Sequence, residues 1–205
     1  LAFYLADKYR IVVIVLSDAF IGLGQEYVEV RRLDFGSLPP KDWAVRGRDF
    51  GSAGNEQFLL AHRMLSDYRG FHIDQKRKYE EISGKEAKWE GYKLDDASIV
   101  LVAYGYVARM ALGAVTLLRK KGIKAGLFRP VTLWPFPEED LRKAAFKAGK
   151  ALVIEDSPDL MLEDIERILQ GQVPLHSLGI EGRNNPGPSG LIFPERIVEE
   201  VEKVI

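Results

Sequence analysis

From residue 98 onward, short apolar runs alternate with helical stretches. No other feature of the chain constrains its fold as tightly. Residues 98–103 (SIVLVA) form a continuous apolar run of the kind found in strands covered on both faces. Tyr104 and Gly105 end it, and a helix is expected from Tyr106 to Lys121. Its inner stripe is Val107, Ala111, Ala114 and Leu118. Arg119, Lys120 and Lys121 sit where the helix dipole favours cations, and Gly122 supplies a left-handed cap. Strands follow at 123–128, 151–154 and 173–177. Helices are expected from Pro137 to Gly149, over 160–169, and from Pro194, the last with Ile197, Val198, Val201 and Ile205 inward. Residues 183–190 read as a Gly/Pro/Asn loop. Strands alternating with helices imply a mainly parallel sheet with helices on both faces, so 95–205 is expected to be one α/β domain.

The preceding residues are organised differently. Residues 1–9 have the spacing of the back half of a helix. Residues 11–16 (IVVIVL), the longest aliphatic run, then read as a strand buried on both faces. Residues 1–34 are thus expected to be the end of an upstream α/β domain that was cut open before its last strand. Asp18 follows that strand at its carboxyl end, where α/β folds place ligands. A turn through Gly22 and Gly24 comes next, then an extended stretch around Val28 and Val30. Residues 35–94 read as a connector, broken at Pro39-Pro40 and at 47–54. Within it, 71–92 should form a charged surface helix with Tyr79, Ile82, Glu86 and Trp89 on one face and a possible break at Gly84.

Composition excludes several functions. The chain of 205 residues has 29 basic and 30 acidic side chains. Neither the connector half nor the α/β half is basic, which argues against nucleic acid and acidic membrane surfaces as partners. The aliphatic run is far shorter than the roughly 20 residues needed to cross a bilayer. There is no signal-peptide pattern, so a cytoplasmic location is expected. Cysteine is absent, which removes disulfides, thiol nucleophiles and cysteine-ligated iron–sulfur or zinc sites from this chain. His62, His72 and His176 have no metal-ligand spacing, and no metal role is assigned to them.

Local patterns that carry chemistry are few. Gly105 ends a buried strand and feeds a helix amino end, with Arg109 about one turn in. Free N–H groups there attract anions. The competing reading is a plain tight turn with Arg109 paired to a carboxylate. Residues 129–137 (RPVTLWPFP) form a proline-stiffened loop carrying Arg129, Trp134 and Phe136. They are candidate interface residues, unless the aromatics fold back onto their own core. Glu155 and Asp156 are candidate acid/base or metal groups, or Asp156 and Ser157 cap the next helix. Ser17 lacks a GxSxG elbow, and no catalytic residue is assigned.

Several of these segments resemble a known family. VAYG at 102–105, Ala108-Arg109, Gly122-Ile123-Lys124, GLFRP at 126–130 and TLWPFP at 132–137 are similar to the carboxyl-terminal domain of the alpha subunit of 2-oxoacid:ferredoxin oxidoreductases, of the 2-oxoisovalerate or 2-oxoglutarate type. LADKYR at 5–10 and LSD at 16–18 resemble the end of that subunit's pyrimidine-binding-type domain. KYEEI at 78–82 and WEGY at 89–92 resemble its connector. The resemblance implies a transketolase carboxyl-terminal-like fold over 95–205. It implies an enzyme that cleaves a 2-oxoacid with thiamine diphosphate and coenzyme A and passes electrons through iron–sulfur clusters to ferredoxin. It implies beta-, gamma- and delta-type subunits as partners. Thiamine diphosphate, Mg and the clusters would belong to the whole complex, with none bound by this chain alone. No catalytic residue of the family carries over to a numbered position, and the segment's expected role is assembly and support of the active site. Relatives often continue the third strand with an Asn-x-Gly-Gln turn, where this chain has EDSPD at 155–159. The alternative is a stand-alone scaffold or regulatory module that binds an anion at the Gly105–Arg109 helix end.

Overall fold

The computed structural model describes residues 1–41, 65–179 and 191–205. The chain divides into two compact units, one of Leu1–Leu16 with Glu26–Lys85, the other of Ser17–Gln25 with Glu86–Ile205.

The second unit is built on a five-stranded sheet. Its strands are β1 (Trp89–Tyr92), β2 (Ile99–Val102), β3 (Ala125–Pro130), β4 (Ala151–Ile154) and β5 (Leu175–Leu178), in the order β1-β3-β2-β4-β5. All neighbours are parallel except β1, which runs antiparallel to β3 with Trp89 opposite Pro130. The expected α/β fold with a mainly parallel sheet is therefore present.

Side chains alternate along each central strand and feed two cores. Ile99, Leu101, Leu127, Leu152 and Ile154 pack on one face with Val107, Ala111, Ala114 and Leu118 of the helix Gly105–Lys120 and with Ile197 and Val201 of the helix Pro194–Val204. Val100, Val102, Phe128 and Val153 pack on the other face with Leu141 and Ala145 of the helix Glu138–Ala148 and with Ile165, Ile168 and Leu169 of the helix Leu160–Leu169. Leu101 is 0% exposed. At roughly 1.5–3 kcal/mol for a fully buried large aliphatic side chain, these two layers dominate the stability of the unit. The two helices on the first face approach closely at Gly113, where an added Cβ would lie 3.2 Å from Pro194 Cγ.

In chain order the helices are α1 (Ala2–Tyr9), α2 (Ala19–Leu23), α3 (Tyr68–Glu86), α4 (Gly105–Lys120), α5 (Glu138–Ala148), α6 (Leu160–Leu169) and α7 (Pro194–Val204). The stop at α4 uses more than the dipole. Gly122 adopts φ +84°, and Arg119 folds back to donate to the carbonyls of Ala125 and Lys93 at 2.8 Å and to Asp96 at 2.7 Å. Arg119 and Lys124 hold the Asp96 carboxyl below its usual range, Arg119 having the larger effect.

Several sequence expectations are corrected. Residues 11–16 form no strand, and Val12 is 83% exposed. The helix expected over 71–92 ends at Glu86, runs unbroken through Gly84, and gives way to strand β1. Trp89 therefore does not continue the helix face. It stacks on Phe128, with ring centroids 4.7 Å apart and planes 11° apart. Pro137 sits just before α5 rather than inside it. Ile205 is exposed instead of inward. Residues 183–190 and His62 lie outside the described residues.

In the first unit, Tyr9 and Ile82 are buried. Lys78 on α3 donates to the Arg10 carbonyl at 3.3 Å, and burial with the nearby Arg10 charge lowers its pKa. Tyr4 packs against Phe35 at 5.5 Å. Lys41 pairs with Asp7 at 2.7 Å.

Candidate functional site

The chain leaves β2 for β3 through α4 on one face. It then leaves β3 for β4 through α5 on the other face, passing back beyond β2. The connections therefore diverge between β2 and β4. At such a switch point the carboxyl ends of adjacent strands open a crevice, the usual ligand position in open α/β sheets. Here the crevice has a volume of about 170 Å³ and is lined by Asp18, Tyr104, Gly105, Tyr106, Val107, Glu155 and Asp156.

One wall is the amino end of α4. Gly105 adopts φ +59°, a conformation that costs a residue with a Cβ roughly 1–2 kcal/mol. The turn lets the Tyr106 N–H point outward, where it donates to Asp18 Oδ2 at 2.8 Å. The other oxygen, Asp18 Oδ1, accepts from Ile21 N–H at 2.7 Å and caps α2. The chain's own carboxylate thus takes the place where the sequence suggests an external anion. Gly105 lines the crevice, while Arg109 is exposed further along α4 and is not among the lining residues.

The other wall is the start of the β4–α6 connection. Glu155 is 2% exposed. Its two carboxylate oxygens accept from Met161 N–H and Leu162 N–H at 2.9 Å each, and the Ser157 hydroxyl also donates to it. Glu155 therefore satisfies orphan donors of the first turn of α6. This corrects the expectation that Asp156 or Ser157 caps that helix. Asp156 instead accepts from the Tyr106 phenol at 2.7 Å. Burial and this carboxylate push the Tyr106 pKa up to about 12, so the phenol is a fixed donor at neutral pH. Phe20 packs on the Tyr106 ring at 5.5 Å.

The crevice thus gathers three carboxylates that all have donors, and the Tyr106 phenol, which stays protonated at neutral pH. Among the described residues no group of three His, Cys, Asp or Glu side chains is arranged to hold a metal ion. With no cysteine, the chain has no thiolate for an iron–sulfur cluster.

The aromatic loop after β3 is braced at its base. Val131 N–H donates to the Lys88 carbonyl at 2.8 Å, Lys88 N–H donates to Thr132 Oγ1 at 2.9 Å, and the Thr132 hydroxyl donates to the Pro135 carbonyl at 2.6 Å. The loop separates its two aromatics. Phe136 packs against the core layer that contains Phe128, while Trp134 is 56% exposed. Arg129 pairs with Glu90 across the β1–β3 ladder at 2.6 Å.

Sequence reasoning had not brought Asp18 to Tyr106, nor Glu155 to the first turn of α6. The one local signal was Asp18 three residues before Ile21, the usual spacing of a side-chain N-cap. No helical transmembrane span occurs among the described residues.

Residues 97–185 match the family model of pyruvate:ferredoxin oxidoreductase core domain II. The chain is 38% identical over 167 residues to the ketoisovalerate oxidoreductase subunit VorB of Methanothermobacter marburgensis, a match that covers 80% of this chain and 46% of that subunit. It is 29% identical over 202 residues to the 2-oxoglutarate synthase subunit KorA of the same organism, covering 86% of this chain and 54% of that subunit. The chain spans about half the length of these curated relatives. The 2-oxoglutarate:ferredoxin oxidoreductase from Magnetococcus marinus, solved with 2-oxoglutarate, coenzyme A and succinyl-CoA bound, shares the fold at a TM-score of 0.53 and 20% identity, over 71% of this chain and 24% of that one. The motif run from VAYG to TLWPFP falls inside the matched domain, and over these residues the chain is similar to 2-oxoacid:ferredoxin oxidoreductase subunits.

Proposed function

We propose that this chain serves as alpha-type subunit material in a thiamine-diphosphate-dependent 2-oxoacid:ferredoxin oxidoreductase. The enzyme would convert a 2-oxoacid to an acyl-CoA and reduce ferredoxin. The described residues would serve subunit assembly and support of the active site rather than bond making. The similarity to VorB and KorA subunits supports the family reading. One observation carries the assembly role: in the apolar run 11–16, Val12, Ile14, Val15 and Leu16 are open to solvent, with Ile14 at 74% exposure. A run of that kind is stable in water only when something covers it. Trp134 adds a large exposed aromatic of the type that anchors interfaces.

Thiamine diphosphate, Mg and the iron–sulfur clusters would be carried elsewhere in the complex; the lack of cysteine supports this for the clusters. When bound, thiamine diphosphate supplies the carbanion-stabilising chemistry, and the surrounding protein supplies placement. Beta-, gamma- and delta-type subunits would cover the exposed surfaces. Coenzyme A and ferredoxin would act through the assembled enzyme in the cytoplasm. The alternative of a scaffold that takes an external anion at Gly105 and Arg109 is weakened by Asp18, whose carboxylate already accepts from the Tyr106 N–H.

The test is purification of the protein from its native source. The expected result is a hetero-oligomer with thiamine diphosphate and iron in its other chains or segments, active on a 2-oxoacid, coenzyme A and ferredoxin. A lone chain with neither cofactor nor partner would overturn the reading.

A further inference from the structure

We propose that Ser17–Gln25 is a clip that closes the switch-point crevice and opens as a unit, with Asp18 as its positioning residue. The clip belongs to the same compact unit as the sheet, although both its chain neighbours belong to the other. Its hold on the sheet unit is narrow. Asp18 divides its carboxylate between the first turn of the clip's own helix and the first turn of α4. Phe20 lays its ring on Tyr106, and Ile21 packs against the first core layer. Nothing in α2 is fully buried. Among the described residues the clip is tied down by one carboxylate, one ring and one aliphatic side chain, and a segment held in that way opens at far lower cost than the core.

The other side of the contact is shaped for it. An added Cβ at Gly105 would lie 2.8 Å from Asp18 Oδ2, so the glycine serves the clip as well as its own left-handed turn. Asp18, Gly105 and Tyr106 line the crevice together. With the clip closed, the amino end of α4 is occupied and one wall of the crevice is in place. With the clip released, the Tyr106 N–H and ring face solvent, and access to the ends of β2 and β4 widens. The clip therefore controls the position where open α/β sheets usually hold ligands.

The test is amide hydrogen exchange on the whole chain, following Ile21 and Tyr106 beside Leu101 and Leu152. In the unaltered protein, Ile21 and Tyr106 should exchange together and faster than the two core amides. Asp18→Ala should speed exchange of both Ile21 and Tyr106 by roughly tenfold or more, the worth of a charge-assisted hydrogen bond, with the core amides unchanged. Asp18→Asn, which keeps one acceptor oxygen, should restore part of the protection. Phe20→Ala should open the same two amides without touching either hydrogen bond. Gly105→Ala should open the clip when Asp18 is present and have a smaller effect on Tyr106 exchange in the Asp18→Ala background, which is the coupling expected of groups in contact. Unchanged Tyr106 protection in Asp18→Ala would overturn the proposal. So would loss of protection spreading to Leu101 and Leu152, or independent exchange of Ile21 and Tyr106.

Discussion

Residues 11–16 and 99–102 are nearly the same text, IVVIVL and IVLV, with opposite fates. The second run is β2, the middle of a five-stranded sheet, and is fully buried on both faces. The first forms no strand and carries Val12, Ile14, Val15 and Leu16 into solvent. An apolar β-branched run states a demand for cover, but it cannot supply the cover. In the second unit β3 and β4 flank the run and four helices close over it. Among the described residues the first unit has no strand to pair with.

The strongest way to break this comparison is a matched pair of charge insertions. Leu101→Asp should cost about 4 kcal/mol or more, because a buried unpaired charge is among the largest single-site penalties. Val12→Asp should shift the chain's own stability by no more than about 0.5 kcal/mol, as an exposed change does. Chemical denaturation reads both values. If the two variants behave alike, run 11–16 is covered and the contrast fails. Val12→Asp should still weaken association with partner subunits, read by sedimentation of the reconstituted complex.

A step smaller is Glu155→Ala, which strands two N–H groups at the start of α6. The expected loss is about 1–3 kcal/mol for each donor left buried and unpaired, seen as a lower urea midpoint. Full retention of stability would mean that the first turn of α6 is satisfied some other way.

Tyr106→Phe should cost less, about 0.5–1.5 kcal/mol for the lost phenol–Asp156 bond. The pH dependence has a definite sign. The folded pKa, about 12, lies above the usual 10. The unfolded phenol therefore loses its proton first. The stabilisation is complete below pH 10 and is lost as pH rises from 10 towards 12. Ultraviolet titration of Tyr106→Phe should lack the late-ionising phenol that the unaltered protein shows near pH 12. The smallest effect belongs to Arg129→Ala, about 0–1 kcal/mol, since its partner Glu90 is largely exposed. A larger loss would mean that the β1–β3 edge relies on that pair.

Legibility followed the range of the forces involved. The bounds of β4 and α6 agree with the periodicity at 151–154 and 160–169, because both elements are framed by local signals and buried in pattern. The helix-to-strand change after Glu86 was not legible. Trp89 sits three residues on and fits the helix stripe, while its actual place depends on pairing with Pro130, far along the chain. The crevice was half legible. Strand ends at Tyr104 and Glu155 mark it, but Asp18 reaches Tyr106 across 88 positions, and no spacing rule spans that. Glu155 stands out in sequence as a carboxylate at a strand end, but its capping role is not legible because it acts from six and seven residues ahead, outside the usual N-cap geometry. Which aromatic of the loop faces inward also depended on tertiary packing, since Trp134 and Phe136 look equivalent in sequence.

The buried Glu155 has one more consequence, for divergence between relatives. Because α6 is fastened from within, by a side chain at the end of a strand, residues 156–159 are relieved of the duty of starting the helix. Asp159, at the helix boundary, makes no side-chain cap and adopts a left-handed conformation. A lineage is then free to rewrite the connection along the rim of the crevice while its anchor stays in place. Changes at 156–159 should therefore leave the start of α6 intact wherever the carboxylate at 155 is kept.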